Sequence, residues 1–233
     1  MSHIVSDVAR RPIHLNPQAE LAERVLLPGD PRRALLVAQE LLESPRMFNT
    51  RRGLWGYTGR APDGGLVTVQ ATGMGGPSAA IVASELIGLG ATTLVRIGTC
   101  GAYALELGAV AVVREAIAAD GASRALGADG RVAADAALTS LVDRSLPRVV
   151  ALSTDLFYDS RGPVPPEAQV VEMEAAALFA LAARHGVRAA CILAVTDQLA
   201  GGRVRIDDEE LERLGVRLGE VALEALAAGV PAR

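Results

Sequence analysis

The chain has 233 residues, half of them hydrophobic, with a formal net charge of −4. That length suits a single domain with a full-sized core. The acidic balance excludes the net basic face that nucleic-acid partners call for, and every apolar run is broken well before the roughly 18 residues a membrane span needs.

Residues 1 to 23 are polar and proline-interrupted, which predicts an arm with little structure of its own. No export signal is read there, because Asp7, Arg10, Arg11 and Pro12 break up any apolar stretch. A strand at Val25 to Pro28 runs into Gly29-Asp30-Pro31, and Arg33 to Leu42 has helical spacing. Strands at Met47 to Asn49, Leu54 to Gly59 and Leu66 to Ala71 follow as a meander. Gly73 to Pro77 leads into a helix from Ser78 to Leu89; with Ser78 at the third fingerprint position it matches a dinucleotide loop poorly. Continuous apolar strands are expected at Thr93 to Ile97 and Val110 to Arg114. Between 117 and 147 only a helix near Asp135 to Arg144 is legible. A strand at Val149 to Ser153, a helix at Val171 to His185, a strand at Ala189 to Thr196 and a helix at Asp207 to Leu226 complete the pattern. Strands alternating with helices predict a three-layer α/β/α sandwich around a mixed, largely parallel sheet, built as one domain over 1–233.

In such sheets ligands gather beyond the carboxyl ends of the strands. Four segments place polar groups there: Gly29 to Arg33, Arg96 to Gly101, Val171 to Glu174, and Thr196-Asp197. The chain contains no lysine, so an anion must be held by guanidiniums or backbone amides. Arg96, followed by a Gly-Thr-Cys-Gly turn, outlines such a site, with Thr99 as a hydroxyl donor; Arg33 can add a second guanidinium. Each also has an ordinary structural reading, as a group satisfying strand-end carbonyls or facing solvent. Glu172 and Glu174 open an apolar helix on faces about 200° apart, so one can face a cleft while the other serves structure. Asp197, at the end of a buried strand, is a candidate proton donor or a plain turn residue. His3, His14 and His185 lack metal spacing, so no metal site is expected. Cys100 and Cys191 sit apart in apolar runs and read as buried free thiols in a reducing, cytoplasmic setting.

Taken together, LLPGDPRRA at 26–34, NTRRGLWGYTG at 49–59, TGMGGPSAAIVASEL at 72–86, RIGTCGA at 96–102, STDLFY at 153–158, VVEMEAAAL at 170–178 and TDQ at 196–198 resemble the nucleoside phosphorylase family of the purine nucleoside and uridine phosphorylase type. The resemblance implies phosphorolysis of a purine nucleoside, with inorganic phosphate as co-substrate and no cofactor. It implies a phosphate site of Gly29, Arg33, Arg96 and Thr99, completed by Arg52 from a neighbouring subunit. Glu174 would hold the ribose hydroxyls, with Glu172 beside it, Met173 against the sugar and Phe157 near the base or ribose. His14 of a partner's arm would meet the 5′ hydroxyl, and Asp197 would be the general acid at the purine. Sites shared in this way imply a homo-oligomer, in this family usually a hexamer built as a trimer of dimers.

One departure concerns the arginine that assists the acid. Gly201-Gly202 and a shortened segment leave Arg203, Arg205 and Arg213 open, and Arg213 is the expected one because it follows a glutamate. Uridine phosphorylase is the nearest alternative, but Asp159 to Gly162 is followed by Pro163, Pro165 and Pro166, where the uracil-reading loop would lie. A methylthioadenosine-type hydrolase is a further alternative, one that the GDPxR arginine, Arg33, speaks against.

Overall fold

A computed structural model of the protein describes residues 12–158 and 164–229. The first eleven residues of the arm, and the 159–163 stretch that bears on the uracil reading, lie outside the described residues.

The chain opens with β1 (Arg24–Pro28), α1 (Pro31–Leu41), β2 (Glu43–Asn49), β3 (Gly56–Arg60) and β4 (Leu66–Gln70). It continues through α2 (Gly76–Gly88), β5 (Thr93–Ala102), β6 (Val110–Ala118), α3 (Gly121–Ala125), β7 (Arg131–Ala133), α4 (Ala136–Leu141) and β8 (Arg148–Ser153). The last elements are β9 (Val170–Glu172), α5 (Ala175–His185), β10 (Arg188–Gln198), β11 (Val204–Arg205) and α6 (Asp208–Ala228).

These strands join one mixed sheet in which β4, β1, β5 and β10 run parallel. Strands β5, β9, β8, β6 and β10 pair in a closed ring, because β10 bonds to both β6 and β5. Antiparallel pairing is commoner than strand–helix alternation predicts, since the hairpin strands β2 and β3 and the short β7 and β11 all pair that way. Side-chain alternation along the buried strands feeds two cores. Val25, Leu94 and Cys191 face α2 and α5, whereas Leu26, Val95 and Ile192 face α1 and α6. The result is the expected α/β/α layering. Among the described residues no helix is long and apolar enough to cross a membrane, and both cysteines are free and buried.

Helix starts follow local chemistry. Asp30, Asp135 and Asp207 each accept an amide from the first turn of α1, α4 and α6, and Asp208, Glu209 and Glu210 complement the positive end of α6.

Two expectations about local structure change. The Gly-Thr-Cys-Gly segment is strand rather than turn, because β5 keeps its pairing with β10 out to Ala102 and Gln198. Val171 to Glu174 is not helix: Val170 and Val171 bond to β5 and β8, and α5 begins only at Ala175. The described part of the arm has no regular structure but is fastened to its own chain. Asn16 donates to Asn49 Oδ1 at 2.8 Å and Ala22 to Thr68 Oγ1 at 3.0 Å, while Leu15 is buried in the core.

Candidate active site

Arg96 leaves β5 toward the α2 and α5 layer and is buried with two carboxylates. Its Nη2 pairs with Glu174 Oε2, and its Nε lies 3.3 Å from Glu172 Oε2. The Nε contact is an ion pair without the alignment of a hydrogen bond, which leaves that N–H unbonded. Burial works against the guanidinium charge, but Glu174 and Glu172 outweigh it and hold Arg96 above its ordinary value. The glutamates therefore converge on one cation instead of diverging on a helix. The reason is that Glu172 ends β9 while Glu174 occupies the cap position of α5.

Glu172 does the capping. It accepts the amides of Glu174 at 2.9 Å and Ala175 at 2.9 and 3.0 Å, and the Ser153 hydroxyl. Burial raises its pKa, Arg96 opposes the rise and Glu174 adds to it, leaving a net upward shift. Glu174 instead reaches across to α2, accepting the Gly75 amide at 2.6 Å. Gly75 sits at φ +85°, a conformation that glycine adopts without strain and that aims its N–H at the carboxylate.

Arg33 comes from the opposite layer, in the first turn of α1. Its stem lies against Gly215 of α6, whose missing side chain leaves room for it. Burial lowers its pKa, Asp30 opposes this and the nearby positive Arg96 lowers it further. The two buried guanidiniums repel each other, a repulsion that a bound anion would relieve. Gly29 lies beside them, its carbonyl accepting Gly73 N–H at 3.0 Å. The backbones run so close here that a Cβ on Gly29 would stand 3.1 Å from the Gly73 oxygen. Thr99 is half-buried on β5, opposite Ala194 of β10.

Asp197 pairs across the sheet with Gly101, which pairs in turn with Val171, the neighbour of Glu172. At one strand spacing per step, the acid lies about 10 Å across the sheet from β9. Asp197 is buried and accepts the Thr196 hydroxyl at 2.9 Å on Oδ2 and Arg203 Nε at 2.7 Å on Oδ1. The Arg203 guanidinium also rests 4.4 Å from the centre of the half-exposed Phe157 ring.

The expected Arg213 stands elsewhere. It lies on the outer face of α6, largely exposed and paired with Glu210 one turn away, because the helix carries it past the β10–β11 hairpin. That antiparallel hairpin, with Asp197 opposite Arg205, folds Arg203 back onto the acid. Arg205 faces solvent.

His14 and Arg52 are not beside Arg96. His14 bonds to Glu85 on α2 through Nδ1 at 2.8 Å. Arg52 is exposed on a tight 3-10 turn at Arg51–Gly53, with φ +60°. Met173 is half-buried between the two glutamates in sequence. Sequence reasoning missed Ser153 and Gly75, whose polar atoms hold Glu172 and Glu174; both lie inside segments that the family resemblance covers. A hollow of about 480 Å³ beside Leu21, Arg24, Thr93 and Arg188 opens at the amino ends of β1, β5 and β10 and gathers none of this chemistry.

Fold and site define an α/β/α enzyme whose polar groups collect around two guanidiniums at the carboxyl ends of parallel strands. The chain belongs to the Phosphorylase superfamily, whose sequence signature matches residues 23–227. It is 37% identical over 237 residues to the DeoD-type purine nucleoside phosphorylase of Clostridium beijerinckii, covering 92% of this chain and 98% of that protein. To the DeoD-type enzyme of Geobacillus kaustophilus it is 38% identical, over 91% of this chain and 97% of the other. A third, from Roseobacter denitrificans, is 37% identical with coverage of 91% and 98%.

Proposed function

We propose that this chain is a purine nucleoside phosphorylase, releasing a free purine base and ribose 1-phosphate from a nucleoside and inorganic phosphate. The observation that supports the reading best is the buried pairing of Arg96 with Glu174, with Arg33 of α1 near enough for the positive Arg96 to lower its pKa. Relatives of near full-length coverage that bear this activity in their names support it.

In this reading Arg33, Arg96, Thr99 and the Gly29 amide hold phosphate below the ribose, and Glu174 accepts the 2′ and 3′ hydroxyls. Met173 packs on the sugar, and Phe157 forms part of the base wall. A phosphate oxygen bonds to C1′ as the bond from C1′ to the purine nitrogen breaks. The electron pair of that bond passes into the base, where Asp197 delivers a proton to N7. Charge stabilisation and orientation both act in this step: guanidiniums fix the nucleophile while the acid meets the charge that develops on the leaving group. Glu172 keeps α5 and Arg96 in place. Arg203, in contact with Asp197, assists the acid in the role expected of Arg213.

The same reading makes the active unit an assembly, a homohexamer of paired subunits working in the cytoplasm, each chain a single domain with its arm. His14 supports shared sites. Its anchor Glu85 lies ten residues along α2 from the Gly75 amide that Glu174 binds, a rise of about 15 Å. His14 therefore stands far from the Glu174 of its own chain, which supports a role for it in a neighbour's site.

The test is a substrate panel of adenosine, inosine, guanosine, uridine and methylthioadenosine, each with and without phosphate. Phosphate-dependent release of purine bases is expected. Base release without phosphate would make the protein a hydrolase, and turnover of uridine alone would make it a uridine phosphorylase.

A further inference from the structure

Glu85 has no place in the reaction just described, yet it is a buried carboxylate that gathers more hydrogen bonds than a helix side chain needs. Its side chain is 7% exposed. It accepts the amides of Ile13 at 3.0 Å, His14 at 2.9 and 3.1 Å and Leu15 at 2.7 Å, together with His14 Nδ1 at 2.8 Å. Packing alone would be served better by an apolar residue, because a carboxylate taken out of water is costly unless all its bonds are made.

We propose that Glu85 is a positioning residue for the active site of an adjacent subunit, fixing both His14 and the turn that carries Arg52. The proposal rests on the reading that these two residues act across a subunit boundary.

For His14 the argument is one of tautomer and aim. A carboxylate only accepts, so the ring proton bonded to it sits on Nδ1. In the neutral ring Nε2 is then the acceptor, and the side chain is 31% exposed. An acceptor nitrogen held by three backbone bonds and one ring bond suits a hydroxyl donor such as the 5′ position of a nucleoside.

For Arg52 the link runs through the arm. The Ile13 carbonyl accepts Arg51 Nη1 at 2.8 Å, and Asn49 closes the block. Its Oδ1 takes the amides of Asn16 at 2.8 Å and Arg51 at 3.3 Å, and its Nδ2 donates to the Leu54 carbonyl at 2.6 Å. Between these ties Arg52 adopts φ +60°, a left-handed conformation that a non-glycine residue holds only where its surroundings impose it. Arm, turn and α2 are therefore tied into one hydrogen-bonded block, with Glu85 at its buried end.

The experiment compares the assembled wild-type enzyme with Glu85→Gln, His14→Ala and the double variant, each checked for folding and subunit number. The readouts are kcat/KM for inosine against 5′-deoxyinosine, and the KM for phosphate. Glu85→Gln should lower kcat/KM for inosine about tenfold more than for 5′-deoxyinosine, the scale of one hydrogen bond to substrate. His14→Ala should do the same, the double variant should add nothing to that ratio, and Glu85→Gln should raise the phosphate KM several-fold. An assembled Glu85→Gln enzyme that keeps the wild-type ratio while His14→Ala loses it overturns the proposal and leaves the shared-site reading standing. If His14→Ala also keeps the ratio, both fall together. Nitrogen-15 NMR of the three histidines in wild-type enzyme tests the tautomer even if the variant does not fold: Nδ1-protonated His14 supports the proposal, and the Nε2-protonated neutral form overturns it.

Discussion

Arg203 Nε donates to Asp197 Oδ1 at 2.7 Å, and the same guanidinium lies 4.4 Å from the centre of the Phe157 ring. One side chain thus ties Asp197, the proposed acid, to the ring proposed as a wall of the base site. Replacing it with methionine keeps the length and removes the charge. Arg203→Met should lower kcat on purine nucleosides about tenfold, in line with a partly exposed charge-assisted bond. Arg213→Gln should change kcat less than about twofold, since among the described residues Arg213 pairs only with Glu210, on the outer face of α6. Steady-state kinetics on inosine decide between them, and a loss at Arg213 with none at Arg203 would return the role to Arg213. Asp197→Asn, which removes the proposed proton donor itself, should cost about 10²- to 10⁴-fold.

The pairing of Arg96 with two buried glutamates separates stability from phosphate binding. Arg96→Gln leaves Glu172 and Glu174 buried without their cation, so it should destabilise the fold by about 3–5 kcal/mol. Added phosphate should no longer raise the melting temperature. Arg33→Gln should weaken phosphate binding with a smaller loss of stability, because Glu172 and Glu174 keep their contacts with Arg96. Thermal melts at graded phosphate concentration distinguish the two. Equal melting temperatures for both variants without phosphate would contradict the structural role given to Arg96.

The sequence carries this site unevenly, for physical reasons. Periodicity and capping residues locate most elements to within a few positions, because Asp30, Asp207 and the glycines act on their near neighbours. The convergence of Glu172 and Glu174 is not local. It depends on Val170 and Val171 being captured by β5 and β8, which no helical count around 171–174 can foresee. Arg203 is hidden in the same way, since its approach to Asp197 is set by the β10–β11 hairpin and not by spacing along α6. The weakest stretch, 117–147, holds the short α3 and β7, too brief for any hydrophobic period to declare itself.

Gly98 offers a test of how tightly Arg96 is held. A Cβ at this position would lie 2.7 Å from Arg96 Nη2 and 2.8 Å from its Cζ, so the guanidinium folds back over its own strand through space that only glycine leaves. Gly98→Ala should push Arg96 off the glutamates, raise the KM for phosphate by about tenfold or more and cost about 1–3 kcal/mol of stability. Kinetics and denaturant melts of the variant check both effects. Unchanged phosphate affinity would mean that the site tolerates another path for this side chain.

Glu85 makes a prediction about acid stability. Burial alone would raise its pKa, but the amides of His14, Leu15 and Ile13 and the His14 ring outweigh this and hold it below the ordinary glutamate value of 4.5. Between the depressed folded value and 4.5 the unfolded chain binds a proton that the folded chain refuses, so stability rises with pH across that window. The contribution is complete above about pH 4.5 and is lost as pH falls through the folded pKa. Wild-type enzyme should therefore melt higher than Glu85→Gln near neutrality, and the gap should narrow as the buffer is taken below about pH 4.5. Melting temperatures of both proteins across that range measure it directly. A gap of constant size from neutrality into acid would show that the charge on Glu85 contributes nothing and that only its shape fastens the arm.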